Sequence, residues 1–213
     1  MPIREDDQFD TDTSANWDGA GVTIPGASET CLMTEDGLAV HSTPTTGNQI
    51  WCRFQFVSFP DGDGGVAISD GSGNGFILQF GFPASDLQTE RFVEYDAYTT
   101  YAANDSAIVN NLGAFGLEQE IGITWDLADT TVRIWRDVPA GSEPDSIALW
   151  DGVGPGVTLD WVVEGQTQAG QNLGMGNWNT GVPIDEFEFF VFGEVGAVAT
   201  FKPAFFSHSI VRY

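Results

Sequence analysis

The stretch RFVEYDAYT, residues 91–99, places Phe92, Glu94, Asp96 and Tyr98 on one face of an extended strand. Carboxylates two residues apart, flanked by rings, suit sugar chemistry: the carboxylates accept hydroxyl protons and the rings stack on apolar sugar faces. Trp51, Trp135, Trp150 and Trp178 fall off the main apolar stripes or near loops, and they complete the candidate carbohydrate-binding set. Rings in such places serve equally well to cover a core or to meet another subunit.

Other chemistries find less material. His41 and His208 are the only histidines, and neither lies near a Gly-x-Ser-x-Gly turn, so a Ser/His/Asp hydrolase is not expected. Asp61 and Asp63 in PDGDGG and Asp70 in DGSGNG are candidate calcium ligands, although neither loop ends in a bidentate Glu. No other cofactor is implied. Cys31 and Cys52 are the only cysteines; Cys52 shares a strand face with Ile50, Phe54 and Phe56, as a small buried hydrophobe would, and a bridge to Cys31 stays open.

The elements that would carry these residues read as strands. Between Leu117 and Gly141, Ile121, Ile123 and Trp125 alternate with Gly122, Thr124 and Asp126; after a polar break, Val132 and Ile134 alternate with Thr131, Arg133 and Trp135. That pattern predicts an antiparallel hairpin. The run 50–59 has apolar residues on both faces, which predicts a strand covered from outside or lying in an interface. Phe76, Leu78, Phe80 and Phe82 form a core stripe. Residues 85–90 suggest one helical turn, 101–114 a polar loop, and 204–213 a terminal strand. Gly and Pro recur at sandwich spacing without helical periodicity, so the expectation is an all-β, antiparallel two-sheet sandwich. Residues 1–8 are expected to be a flexible arm and residues 9–213 a single domain.

Several segments resemble concanavalin A-like and laminin G-like jelly rolls: FDTDTSANW before a Trp-bearing first strand, the central hairpin with its Trp-Asp, LGMGNWN, and IDEFEFFVF. Asp185 in the last of these is usually structural in that family. Glycoside hydrolases of this class carry Glu-x-Asp-x-x-Glu on a concave strand, the two Glu serving as nucleophile and acid/base. Glu94, Asp96 and Thr99 occupy those places here, so threonine stands where the resemblance puts the acid/base. The chain is therefore expected not to be an enzyme.

The charge is the other large constraint. Asp plus Glu number 31 against seven Lys plus Arg, a formal net charge of −24, and Lys202 is the sole lysine. Such a surface repels phosphate, so neither nucleic acid nor an anionic membrane is an expected partner, and no segment is apolar enough for membrane insertion. Loss of lysine resembles haloarchaeal surfaces, which work in salt that shortens the Debye length to roughly 3 Å at about 1 M. No export signal opens the sequence. A fold type common outside cells, without an export address and with a halophilic surface, suggests a virion component of a virus infecting a halophile: a capsid decoration, turret or tail fibre. It would form homo-oligomers, contact other virion proteins and bind host surface glycan. The alternative is a free-standing carbohydrate-binding protein or a glycoside hydrolase relative.

Overall fold

A computed structural model describes residues 3–23, 31–56, 61–69, 75–81, 86–96, 100–114, 120–126, 131–160, 172–177 and 184–195. The first strands are β1 (Ile3–Asp7), β2 (Trp17–Thr23), β3 (Cys31–His41), β4 (Gln49–Phe56) and β5 (Asp61–Ser69). There follow β6 (Gly75–Gly81), β7 (Asp86–Asp96), β8 (Thr100–Ala114), β9 (Ile121–Asp126) and β10 (Thr131–Arg136). The short β11 (Pro144–Ser146) and β12 (Leu149–Trp150) precede β13 (Val157–Asp160), β14 (Asn172–Asn177) and β15 (Ile184–Glu194). All pairings are antiparallel among the described residues, whose only helical element is a short 3-10 turn at Ser14–Asn16. No helix among them is long and apolar enough to cross a membrane.

The strands form two facing layers. One runs β13-β10-β9-β4-β15 and the other β14-β5-β6-β7-β8. The layers are joined through β3, one end of which pairs with β15 at Cys31 and Met33, while the other pairs with β14 at Leu38 to Val40. Between the layers lies the main core, with Ile50, Cys52, Phe54 and Phe56 of β4 facing Val66, Ile68, Leu78 and Phe80 of β5 and β6. Phe54 and Phe80 meet across it with ring centroids 5.9 Å apart. Full burial of each such side chain contributes roughly 1.5–3 kcal/mol. The expected all-β antiparallel sandwich is the fold observed.

The predicted central hairpin forms, with Trp125 opposite Val132 and Ile123 opposite Ile134, and all four side chains enter the core. On β15 a bulge intervenes: Phe187 pairs with Phe56 but Phe189 with the adjoining Gln55. The extra residue reverses the alternation, so that Phe187, Phe190 and Phe192 point inward while Phe189 and Val191 point outward.

Several expectations are corrected. The supposed arm contains β1, in which Glu5, Asp6 and Asp7 pair with Phe192, Val191 and Phe190; backbone hydrogen bonding orders a segment whose composition suggests freedom. The helical turn at 85–90 and the loop at 101–114 are instead largely strand, because β7 and β8 pair along their length and tertiary pairing overrides local propensity. Asp61 and Asp63 belong to β5, not to a turn. Cys31 and Cys52 are free and buried, and desolvation pushes both thiols far above their ordinary pKa. The segment 204–213, with His208, lies outside the described residues.

Candidate functional site

The candidate aromatic platform is not a platform. Trp51, Trp135 and Trp150 are buried to 1% exposure or less, in a second apolar cluster on the outer face of β4, β9, β10 and β15. The segment after β10 covers that face with Val138 and Trp150. Trp150 meets Trp51 edge-on at 5.7 Å and donates its Nε1–H to Ser142 Oγ at 2.7 Å. Trp135 donates to Thr124 Oγ1 at 3.2 Å, and that hydroxyl donates to the Ile147 carbonyl at 2.7 Å. Gly122 leaves room for this cover, since a Cβ there would stand 2.7 Å from both the Trp150 ring and Val138 Cγ2. These three tryptophans are removed from the carbohydrate-binding set because no sugar can reach a ring already enclosed by protein.

Glu94 and Asp96 lie on β7, opposite Ala102 and Thr100 of β8. Tyr98, Trp178 and Asp70 fall outside the described residues, and for Asp61 and Asp63 only the backbone is described. Among the described residues no cluster of three or more His, Cys, Asp or Glu is arranged to hold a metal.

A polar crevice of about 300 Å³ opens instead beside β1, where Glu5, Asp6, Asp7, Asp10, Thr13 and His41 contribute to its lining. Its floor is built by Asp7. The carboxylate accepts the Phe9 backbone N–H at 3.0 Å through Oδ1; Oδ2 accepts from Thr13 Oγ1 at 2.6 Å and Trp17 Nε1 at 2.9 Å. The first contact is an Asx turn, and it accompanies a left-handed backbone at Phe9, φ 53°, that reverses the chain and buries the Phe9 ring. Asp12 accepts from the Ser14 backbone N–H at 3.1 Å, and hydrogen bonding with Ser14 holds its carboxyl below the usual pKa. Ser42 N–H to the Asn16 carbonyl, 2.8 Å, then ties the loop to the end of β3.

His41 pairs in register with Trp17 and is packed edge-on against the Trp17 ring at 5.1 Å and the Phe192 ring at 5.4 Å. Burial lowers its pKa, against the opposing pull of Glu5, Asp7 and Asp18, so the imidazole is neutral near pH 7. Nδ1 accepts the Thr43 backbone N–H at 3.1 Å, which leaves the ring proton on Nε2. That nitrogen lies 3.8 Å from Glu5 Oε2, beyond direct hydrogen bonding. The site thus offers one fixed donor, one partly exposed carboxylate acceptor and a structural carboxylate already engaged three times.

Sequence reasoning missed this grouping. The signal available was Asp7 ahead of FDTDTSANW and a histidine on a neighbouring strand. What the sequence does not display is the β1–β15 pairing that brings residues 5–7 to His41.

The chain is an antiparallel β-sandwich with a polar crevice beside β1. No family model matches the chain, and no curated protein matches it in sequence. Among solved structures, it is similar to a GH43 protein, BlXynB, from Bacillus licheniformis, in a mutant form, with 11% identity, a TM-score of 0.54, and coverage of 91% of this chain and 40% of that one. It is also similar to GH43B of a xyloglucan utilisation locus in Bacteroides ovatus (15% identity, TM-score 0.52, 92% and 40% covered). A third is xylan β-1,4-xylosidase from Bacillus halodurans (13%, TM-score 0.50, 91% and 40%). The chain spans about two fifths of the length of these proteins.

These relatives correct the expectation of a non-enzyme. That expectation rested on Thr99 replacing one carboxylate of a single motif, whereas the neighbours that share nine tenths of this chain are glycoside hydrolases. The virion reading gains no support from these neighbours, whose names point toward the glycan alternative.

Proposed function

We propose that the chain is a carbohydrate-binding β-sandwich of the kind that glycoside hydrolases carry, acting on or beside a xylan-type polysaccharide. The observation that carries this reading is the match of about nine tenths of the chain to solved proteins named for xylan and xyloglucan. The crevice supports it locally, because it combines a neutral donor with a carboxylate acceptor, the pair that a sugar hydroxyl can satisfy at once.

Native gels cast with soluble xylan or xyloglucan test the reading. Retarded migration relative to a gel without polysaccharide is expected, and release of reducing ends in the same mixtures would extend the function from binding to hydrolysis. Unretarded migration in both, at about 3 M and about 0.1 M salt, would overturn it.

A further inference from the structure

We propose that His41 is an acid-sensitive latch between the loop 42–48 and β1: the neutral ring holds the loop at Thr43, and the protonated ring releases Thr43 and draws in Glu5. The device works whether or not the chain binds glycan.

The two ring nitrogens face different elements. Nδ1 accepts the Thr43 backbone N–H at 3.1 Å, and Nε2 stands 3.8 Å from Glu5 Oε2. A neutral imidazole accepts at one nitrogen and donates at the other, whereas an imidazolium donates at both. A proton on Nδ1 therefore leaves two N–H groups pointing at each other where Thr43 was held. The same proton gives the ring a charge, and Glu5 lies within ion-pair distance of it. One protonation loosens one tether and tightens the other.

The ring itself cannot turn away to relieve the conflict. It sits edge-on to the Trp17 ring at 5.1 Å and the Phe192 ring at 5.4 Å, and its own carbonyl accepts from Asn172 Nδ2 at 2.8 Å. The loop must give instead. Ser42 N–H to the Asn16 carbonyl holds it on one side of Thr43, and Thr46 on the other side donates to Glu194 through both its N–H and its hydroxyl. Release is thus local to Thr43 and does not require the sandwich to open.

Among the described residues the charged groups acting on the ring are Glu5 and Asp7 of β1 and Asp18 of β2, while β14 and β15 bring the neutral Asn172 and Phe192. Asp7 is fixed by Phe9, Thr13 and Trp17, whereas the Glu5 side chain is 32% exposed and can close on the ring. The crevice, whose lining includes both His41 and Glu5, admits the water that delivers the proton.

The test follows the nitrogen-15-labelled full chain by NMR at constant salt from about pH 7.5 to about pH 5. The Thr43 amide is expected to shift with the same midpoint as the His41 ring, and its hydrogen-exchange protection factor to fall about tenfold below that midpoint while the β1 amides keep theirs. Glu5→Gln, at a partly exposed position, should move the ring's midpoint to lower pH, because it removes a charge that favours the imidazolium. His41→Gln, which cannot titrate there, should leave Thr43 protection independent of pH. A ring that stays neutral down to about pH 5, or Thr43 protection that is unchanged through the ring's titration, would overturn the latch. Loss of protection at Thr43 and β1 together would mean general unfolding and would overturn it too. An unmoved midpoint in Glu5→Gln would remove Glu5 as the second partner.

Discussion

Trp150→Ala separates an enclosed ring from a sugar platform. The side chain is fully buried, packs on Trp51 at 5.7 Å and Trp135 at 6.4 Å, and closes the cover over Gly122. Truncating a buried Trp to Ala costs about 3–5 kcal/mol, and here Ser142 Oγ also loses its donor. Against a typical stability of about 5–15 kcal/mol that is a large fraction. With a urea slope of about 1–3 kcal/mol per molar, the unfolding midpoint should fall by more than about 1 M. Far-UV circular dichroism across a urea series measures it, and Trp150→Phe, which retains a ring, should recover part of the loss. A Trp150→Ala variant with an unchanged midpoint and abolished glycan binding would refute the reasoning, since only an exposed ring behaves so.

Other perturbations address different parts of the molecule. A Cβ on Gly174 would stand 2.0 Å from the Ala39 carbonyl oxygen and 2.6 Å from Val40 Cα, so Gly174→Ala should exceed the ~1–3 kcal/mol of ordinary overpacking, whereas Gly154→Ala, with nothing within 4 Å, should stay within about 0.5 kcal/mol; thermal melts compare them. His41 has a folded pKa depressed below its unfolded value of 6.5, so its contribution is fully present above that pH and is lost as pH falls through the folded value. The melting-temperature advantage of wild type over His41→Gln should therefore shrink from pH 7.5 to pH 5, and a gap that widens in acid would contradict the assignment. With a net charge of −24, dilution from about 1 M to about 0.1 M salt lengthens the Debye length from roughly 3 to 10 Å and should lower the melting temperature; a constant value would show that repulsion is not limiting.

The hairpin at 117–141 was legible because its apolar residues alternate without interruption, and a one-residue slip would expose Ile121, Ile123 and Trp125 together. Trp51 and Trp135 were misplaced for a related reason: period two says that a side chain faces away from the main core, but not whether something covers it. The cover here comes from residues 137–153, whose strands β11 and β12 are too short for any periodicity to announce them. The fate of Asp7 was hidden by composition, since an acidic N-terminal run reads as solvated until β15 is known to pair with it. Glu94 and Asp96 were found from spacing alone, and spacing fixes a face of a strand without fixing its surroundings.

The sharing of β3 between the layers bears on how the chain reaches this fold. Cys31 sits opposite Phe187, and farther along the same edge of β15 Ile3 sits opposite Gly193, so the joining contacts span almost the whole described sequence. The β9–β10 hairpin and the β5–β6–β7–β8 meander need only short loops, and loop-closure entropy lets them form first. Seating β3 against β14 and β15 then becomes the slow step, the kind of non-local closure that places β-rich chains in the millisecond-to-second range. Until that strand is home, two half-built layers display their phenylalanines to water, and the surplus of negative charge keeps neighbouring chains apart while they wait.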